Sequence, residues 1–141
     1  MSVRHNLHAS CVALDAQHAV LIMGASGSGK STLALRLMAF GAHLVADDRT
    51  DLRCESGQIL ASAPLAIRGR IEARGVGVLS ADALSDAILS LVVDLDRIET
   101  ERLPPQRNIS LYGVSLPLVL QAQHSHLDAA IWQFLKAGRV A

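Results

Sequence analysis

The chain has 141 residues, half of them hydrophobic but only 3% aromatic, so Leu, Val, Ile and Ala must fill its core. Its 13 acidic and 13 basic side chains balance, which excludes the whole-chain positive field of a nucleic-acid binder and the acidic excess of a disordered segment. Such a length predicts one domain, residues 1–141, at the small end for a nucleotide-binding α/β unit.

Met1 to Asn6 lack the apolar stretch of a signal peptide, and no apolar run approaches a membrane span, so a soluble, cytoplasmic protein is expected. Leu7 to Leu14 reads as a strand, with Asp15 to His18 a turn into a second strand, Ala19 to Met23. Cys11, on the first of these, and Cys54 lack paired spacing and read as ordinary thiols of a reduced compartment.

After Met23 comes Gly24-Ala-Ser-Gly-Ser-Gly-Lys-Ser31, which completes the pattern Gly, four residues, Gly-Lys-Ser/Thr. A helix-forming run, Ser31 to Phe40, follows it. Strand, glycine loop and helix in that order can wrap a phosphate chain, with backbone N–H groups turned inward and the helix N-terminus adding positive potential. Gly24, Ala25, Ser26, Gly27, Ser28 and Gly29, with Lys30, Ser31 and Thr32 opening the helix, are therefore the candidate nucleotide-binding residues. Lys30 would reach the β/γ-phosphates and the Ser31 hydroxyl would ligate Mg²⁺. The chain has only two lysines, Lys30 and Lys136, and one stands where this chemistry needs it.

The helix should end at Gly41. His43 to Ala46 is a short strand ending on Asp47 and Asp48. Adjacent carboxylates on a strand point in opposite directions, so one is expected to serve as acid/base and the other to support a metal or its waters; a solvated turn is the alternative. Thr50 to Arg53 and Gln58 to Ala63 flank Glu55-Ser-Gly57 as a second hairpin. Pro64 to Ser80 carries three glycines and three arginines and reads as a loop leading into a strand. Within it Glu72, between Arg70 and Arg74, is either a surface ion pair or part of a backbone that a ligand approaches closely.

Asp82 to Ser85 suggests a helical turn, and Ala87 to Val93 a buried strand ended by Asp94 and Asp96. Glu101 to Arg107 is a surface connection, and Ile109 to Gln121 forms two short strands broken at Gly113 and Pro117. Asp128 to Ala137 is a C-terminal helix. His124 and His126, at i, i+2 spacing with no third ligand nearby, are not assigned a zinc ion.

Together these pieces resemble the catalytic domain of HPr kinase/phosphorylase, a bacterial protein-serine kinase family that regulates carbohydrate metabolism through the phosphotransferase system. The match runs from His8, 16 residues before the loop, through Gly24 to Ser31 and Gly41-Ala-His-Leu-Val-Ala-Asp-Asp48. It continues in Ala63-Pro64 and Ile71-Glu-Ala-Arg-Gly-Val-Gly-Val78; beyond residue 80 only Leu111-Tyr-Gly-Val-Ser-Leu-Pro117 is similar. The resemblance implies an α/β, P-loop kinase domain of the HPr kinase/phosphoenolpyruvate carboxykinase type, a strand-rich mixed sheet with few helices. It implies ATP and Mg²⁺, HPr or an HPr-like phosphocarrier as protein partner, and a homo-oligomer, a hexamer. It further implies Asp48 as acid/base in both directions, Lys30 on the phosphates, and Ser31, Glu72 and Asp48 at the metal. His8 would support Asp48, and Asp47 and Arg74 complete the catalytic set, Arg74 orienting phosphate or acceptor.

Three departures bear on the partner and on the reverse reaction. A short form without the family's usual N-terminal domain is expected. Thr32 stands where a Glu is common. The Pro-Gly-Arg-Asn loop is missing after Pro117, where the chain reads Leu118-Val-Leu-Gln-Ala-Gln-His-Ser-His126; Gln106-Arg-Asn108 lies too early to map onto it. Two other readings stay open: a non-catalytic nucleotide-responsive regulator that keeps the loop, and a small-molecule P-loop kinase.

Overall fold

In the computed structural model, which describes residues 3–141, the chain opens with two strands, β1 (Arg4–Leu7) and β2 (Ala9–Asp15), where the pattern suggested one. The break falls at His8 because the chain changes partners there. β1 pairs with a later strand, β5 (Thr50–Glu55), whereas β2 pairs with β3 (His18–Met23) and β4 (His43–Ala46). Helix α1 (Lys30–Ala39) lies between β3 and β4 and ends with Gly41 at φ 120, as a left-handed residue after a helix requires.

The remaining elements are β6 (Gln58–Ser62), a 3-10 turn (Leu65–Ile67), β7 (Arg70–Ala73), β8 (Gly77–Ser80), β9 (Ala87–Ile98), β10 (Arg107–Leu111), β11 (Val114–Gln121) and α2 (Leu127–Ala137). Four expectations need correction. The glycine-rich stretch forms a separate β7–β8 hairpin rather than a loop into one strand. No helical turn forms at Asp82 to Ser85, because Ala83 bridges Leu44 and the Leu84 N–H donates to the Leu44 carbonyl at 2.8 Å. β9 does not stop at Asp94: that residue is still flanked by Met23 on β3 and Leu120 on β11, and the strand runs on to Ile98. β11 passes through Pro117, whose missing N–H is harmless because the ladder to β9 begins at Leu118.

Nine strands form one curled mixed sheet in the order β1-β5-β6-β9-β3-β2-β4, with β11 also on β9 and β10 on β11. β9 is the seam. Its first residues pair with β6, its middle runs parallel to β3, and its end runs parallel to β11. Period-2 alternation then sorts the core. Cys11, Ala13, Ala19 and Leu21 face the inside of the curl with Leu52, Ile59 and Leu118. Val12, Val20 and Ile22 face the other way, beneath Leu33 and Leu37 of α1 and Ile131 and Leu135 of α2. Both faces of β2 and β3 are covered, which is why their sequences read as nearly unbroken apolar runs. Burial pushes the Cys11 thiol far up from its ordinary pKa, which leaves it inert.

Leu21 is fully buried, so Leu21→Ala is expected to cost about 2–5 kcal/mol in denaturant unfolding, while Val78→Ala on exposed β8 should change little. A pH effect is expected where β9 ends. Arg107 donates to Glu99 at 2.8 and 2.9 Å and holds its carboxyl, ordinarily at 4.5, down to about 2. A depressed carboxylate stabilises above its unfolded value and loses that contribution as pH falls through the folded one. Acid unfolding curves of Glu99→Gln should therefore lack a stability loss that the natural chain shows between pH 4.5 and 2.

Candidate functional site

The loop between β3 and α1 has the backbone its glycines predict. Gly27 and Gly29 take φ 83 and 100, a region closed to most side chains. At Gly24 a Cβ would run into the Ser28 hydroxyl and stand 3.3 Å from the Leu95 Cβ. α1 begins without a side-chain cap and with no acidic residue in its first turn, so its leading N–H groups and positive dipole end stay available to an anion. The Lys30 ammonium donates to the Gly24 and Ala25 carbonyls at 2.9 and 3.1 Å, which bends it over the loop. The Ser28 hydroxyl is buried there without a hydrogen-bond partner.

Asp47 and Asp48 lie just past the end of β4, so the strand pleat does not separate them. A tight turn does. The Arg49 N–H donates to the Asp47 carbonyl at 2.8 Å around Asp48 at φ 69, the hydrogen bonding of a γ-turn. Such a backbone costs on the order of 1–3 kcal/mol and persists only when its surroundings enforce it. Here they do. The buried Asp47 carboxylate accepts from the Ser31 hydroxyl at 2.6 Å and the Ser10 hydroxyl at 3.0 Å through one oxygen, and from the Glu72 N–H at 2.9 Å through the other. The Ser10 hydroxyl in turn accepts the Asp48 N–H at 3.0 Å. Asp48 projects the opposite way, where its Oδ1 meets His8 Nε2 at 2.7 Å.

A pocket of about 430 Å³ gathers Ser26 to Thr32 of the loop with Asp48, Glu72 and Arg74. Of the other residues singled out in the sequence, Asp47 lies behind Ser31 and His8 behind Asp48. Gly24 and Ala25 form the start of the loop, held by Lys30. On β7 burial alternates, with Ile71 and Ala73 turned inward and Glu72 outward. Its hairpin thus delivers Glu72 and Arg74 to the pocket, and its backbone is stitched to Asp47. Among the described residues no group of three or more His, Cys, Asp or Glu is close enough to hold a metal by itself. The rings of His124 and His126 stack at 5.6 Å.

Two polar residues escaped the sequence reading. Ser10 sits fully buried amid apolar neighbours on β2; its only signal is that strand period places it on the same face as His8. Asp96 accepts the Ala25 N–H with both oxygens, at 3.1 and 2.9 Å, and so ties the loop to β9. In sequence it reads only as the end of a strand.

A family model described as the HPr serine kinase C-terminal domain matches residues 1–109, most of the chain. An HPr kinase/phosphorylase of Clostridium tetani is 40% identical over 79 residues, 56% of this chain and 25% of its own. Another, of Clostridium novyi, is 36% identical over 98 residues, 67% of this chain and 32% of its own. The solved structure of the Hpr(Ser) kinase/phosphatase from Coxiella burnetii superposes with a TM-score of 0.77 at 25% identity, covering 94% of each chain. The chain belongs to the family of the HPr serine kinase C-terminal domain, and its fold is the one that resemblance implied. It spans between about a quarter and a third of the length of these two curated relatives.

Replacing Ser10 by Ala removes one donor from Asp47 and leaves the Asp48 N–H without its acceptor. The expected loss in denaturant unfolding is about 1–3 kcal/mol, the cost of stranding a buried polar group. A change below about 0.5 kcal/mol would show that the turn is held without Ser10.

Proposed function

We propose that this member of the HPr serine kinase C-terminal family is a Mg-ATP-dependent protein-serine kinase acting on HPr or an HPr-like phosphocarrier. The observation that supports it most is the single pocket that brings the phosphate loop, with Lys30 and Ser31, together with Asp48, Glu72 and Arg74. Relatives named HPr kinase/phosphorylase support the choice of substrate. A hexamer, a cytoplasmic location and the reverse, phosphate-dependent dephosphorylation belong to the same proposal.

The chemistry follows from the groups present. The loop amides and the α1 N-terminus receive the phosphates, and Lys30 swings from its loop carbonyls to the β/γ-oxygens. The oxygen donors Ser31, Asp48 and Glu72 form a hard, small set that suits Mg²⁺ rather than a soft metal. When bound, the ion supplies charge neutralisation on the phosphate oxygens. Asp47 takes the Ser31 proton in a hydrogen bond, which leaves the hydroxyl lone pairs directed away from it. The acceptor serine approaches on the Asp48 side. Asp48 accepts its proton as the new O–P bond forms and the bond to the ADP leaving group breaks; in reverse the same carboxyl returns the proton. His8 fixes the carboxylate for this work, and Arg74 balances charge on the transferred group.

The test is incubation with γ-labelled ATP, Mg²⁺ and the phosphocarriers of the source cell. Label on a serine is expected. ATP binding without transfer would favour the nucleotide-responsive regulator, and label on a metabolite the small-molecule kinase. Asp48→Asn should abolish transfer yet keep ATP binding, since the carboxylate is needed only as the proton moves. Lys30→Ala should weaken ATP binding severely in a protein that melts normally. If Asp48→Asn transfers phosphate at the natural rate, the acid/base assignment falls.

A further inference from the structure

We propose that a second, larger pocket at the carboxyl ends of β9 and β11 is the subsite for the base and sugar of the nucleotide; the proposal rests on the phosphate-loop reading above. The phosphate-loop pocket cannot do this itself. Its walls are Ser, Gly, Thr and charged side chains, with no aromatic, Leu, Ile, Val or Met among them. A purine is a flat, largely apolar ring, and ligand pockets that hold such groups are apolar with a few placed polar atoms.

The second pocket has that composition. It encloses about 650 Å³, and Leu118, Leu120, Ala122, Leu127, Pro104 and Pro105 line it, with Glu101, Arg102, Gln123 and Arg139 among the polar residues beside them. Arg107, tethered by Glu99, supplies a fixed polar contact, and the stacked imidazoles of His124 and His126 stand at its margin. Flat rings stack on such surfaces.

Its position is as informative as its walls. β3, β9 and β11 are parallel, and Met23, Asp94 and Leu120 stand level across them. The phosphate loop leaves the first of these strands, and the residues after the third open onto the pocket. Two strand spacings, about 10 Å, separate the two exits. Ligands of open α/β sheets lie outside the carboxyl ends of their parallel strands, and a nucleotide extends sideways from its phosphates along that edge. Asp96 on the intervening strand anchors the loop at Ala25, so β9 sets the spacing between the two pockets.

The test separates base from phosphate. ATP and inorganic tripolyphosphate, each with Mg²⁺, are titrated calorimetrically into the natural chain, Ala130→Trp and Lys30→Ala. Ala130 is an exposed α2 residue on the pocket wall, outside the phosphate machinery, and Trp there fills the pocket. The expected result is that Ala130→Trp weakens ATP at least tenfold and leaves tripolyphosphate unchanged, whereas Lys30→Ala weakens both. Unchanged ATP affinity in a folded Ala130→Trp protein, or equal loss of both ligands, overturns the base subsite. Should Ala130→Trp fail to melt cooperatively, His126→Ala decides by the same comparison, with a several-fold loss of ATP alone expected. If the natural chain binds neither ligand, the phosphate-loop reading itself has failed.

Discussion

The Asp47 carboxylate is the point at which three separate pieces of this chain are joined. Through two oxygens it holds Ser10 of β2, Ser31 at the start of α1 and the backbone of Glu72 on β7. None of these is a sequence neighbour of another, so the carboxylate fixes the relative position of a sheet, a helix and a hairpin. A buried carboxylate is costly unless its lone pairs are filled. Three donors fill them here, and each donor is a residue whose placement matters to the pocket. Removing this one group would strand three polar partners as well as lose the attraction.

The same node explains why two adjacent acids behave differently. Asp48 is forced into a left-handed turn, and the hydroxyl that helps to satisfy Asp47 also accepts the Asp48 N–H. Turning one carboxylate inward therefore directs the other outward to His8 and the pocket. Strain at such a position is tolerated where the surroundings over-determine it, and sites of chemistry are where it collects. Glycine would relieve the backbone at Asp48 but would remove the carboxyl that lines the pocket.

Much of this was legible in the sequence because it is local. The loop between β3 and α1 is a contiguous motif whose glycines, Gly27 and Gly29, take the positive φ that its turn from strand to helix requires. The helix end at Gly41 and the nearly unbroken apolar runs of β2 and β3 are likewise legible from near neighbours. What was misread depends on partners far along the chain. Asp82 to Ser85 has local helical character, but Leu44 offers a hydrogen bond that outcompetes it. Asp94 and Pro117 look like strand breakers, yet Asp94 stands between Met23 and Leu120, and Pro117 lies opposite Asn108 of β10. Ser10 and Asp96 carry no motif because their roles exist only after β2 meets β4 and the loop meets β9.

That division bears on how the protein's parts relate. The residues legible in the sequence cluster on the phosphate side of the sheet edge, between the loop, Asp48 and Glu72. Of the two residues set only by tertiary contacts, Ser10 lies beside Asp47 on this same side, and Asp96 lies on β9, where the register of three parallel strands decides what faces what. Phosphate handling needs charge and backbone at fixed local spacing, so it leaves a sequence pattern. An apolar cavity needs only aliphatic bulk from distant segments, and many sequences supply that equally well. β9 links the two regions, since its Asp96 grips the loop while Glu99, the residue just past its end, fixes Arg107. A shift of this strand along its neighbours would move the loop anchor and the wall of the larger pocket together. The sheet register thus fixes the spacing of the two pockets as firmly as any side chain that lines them.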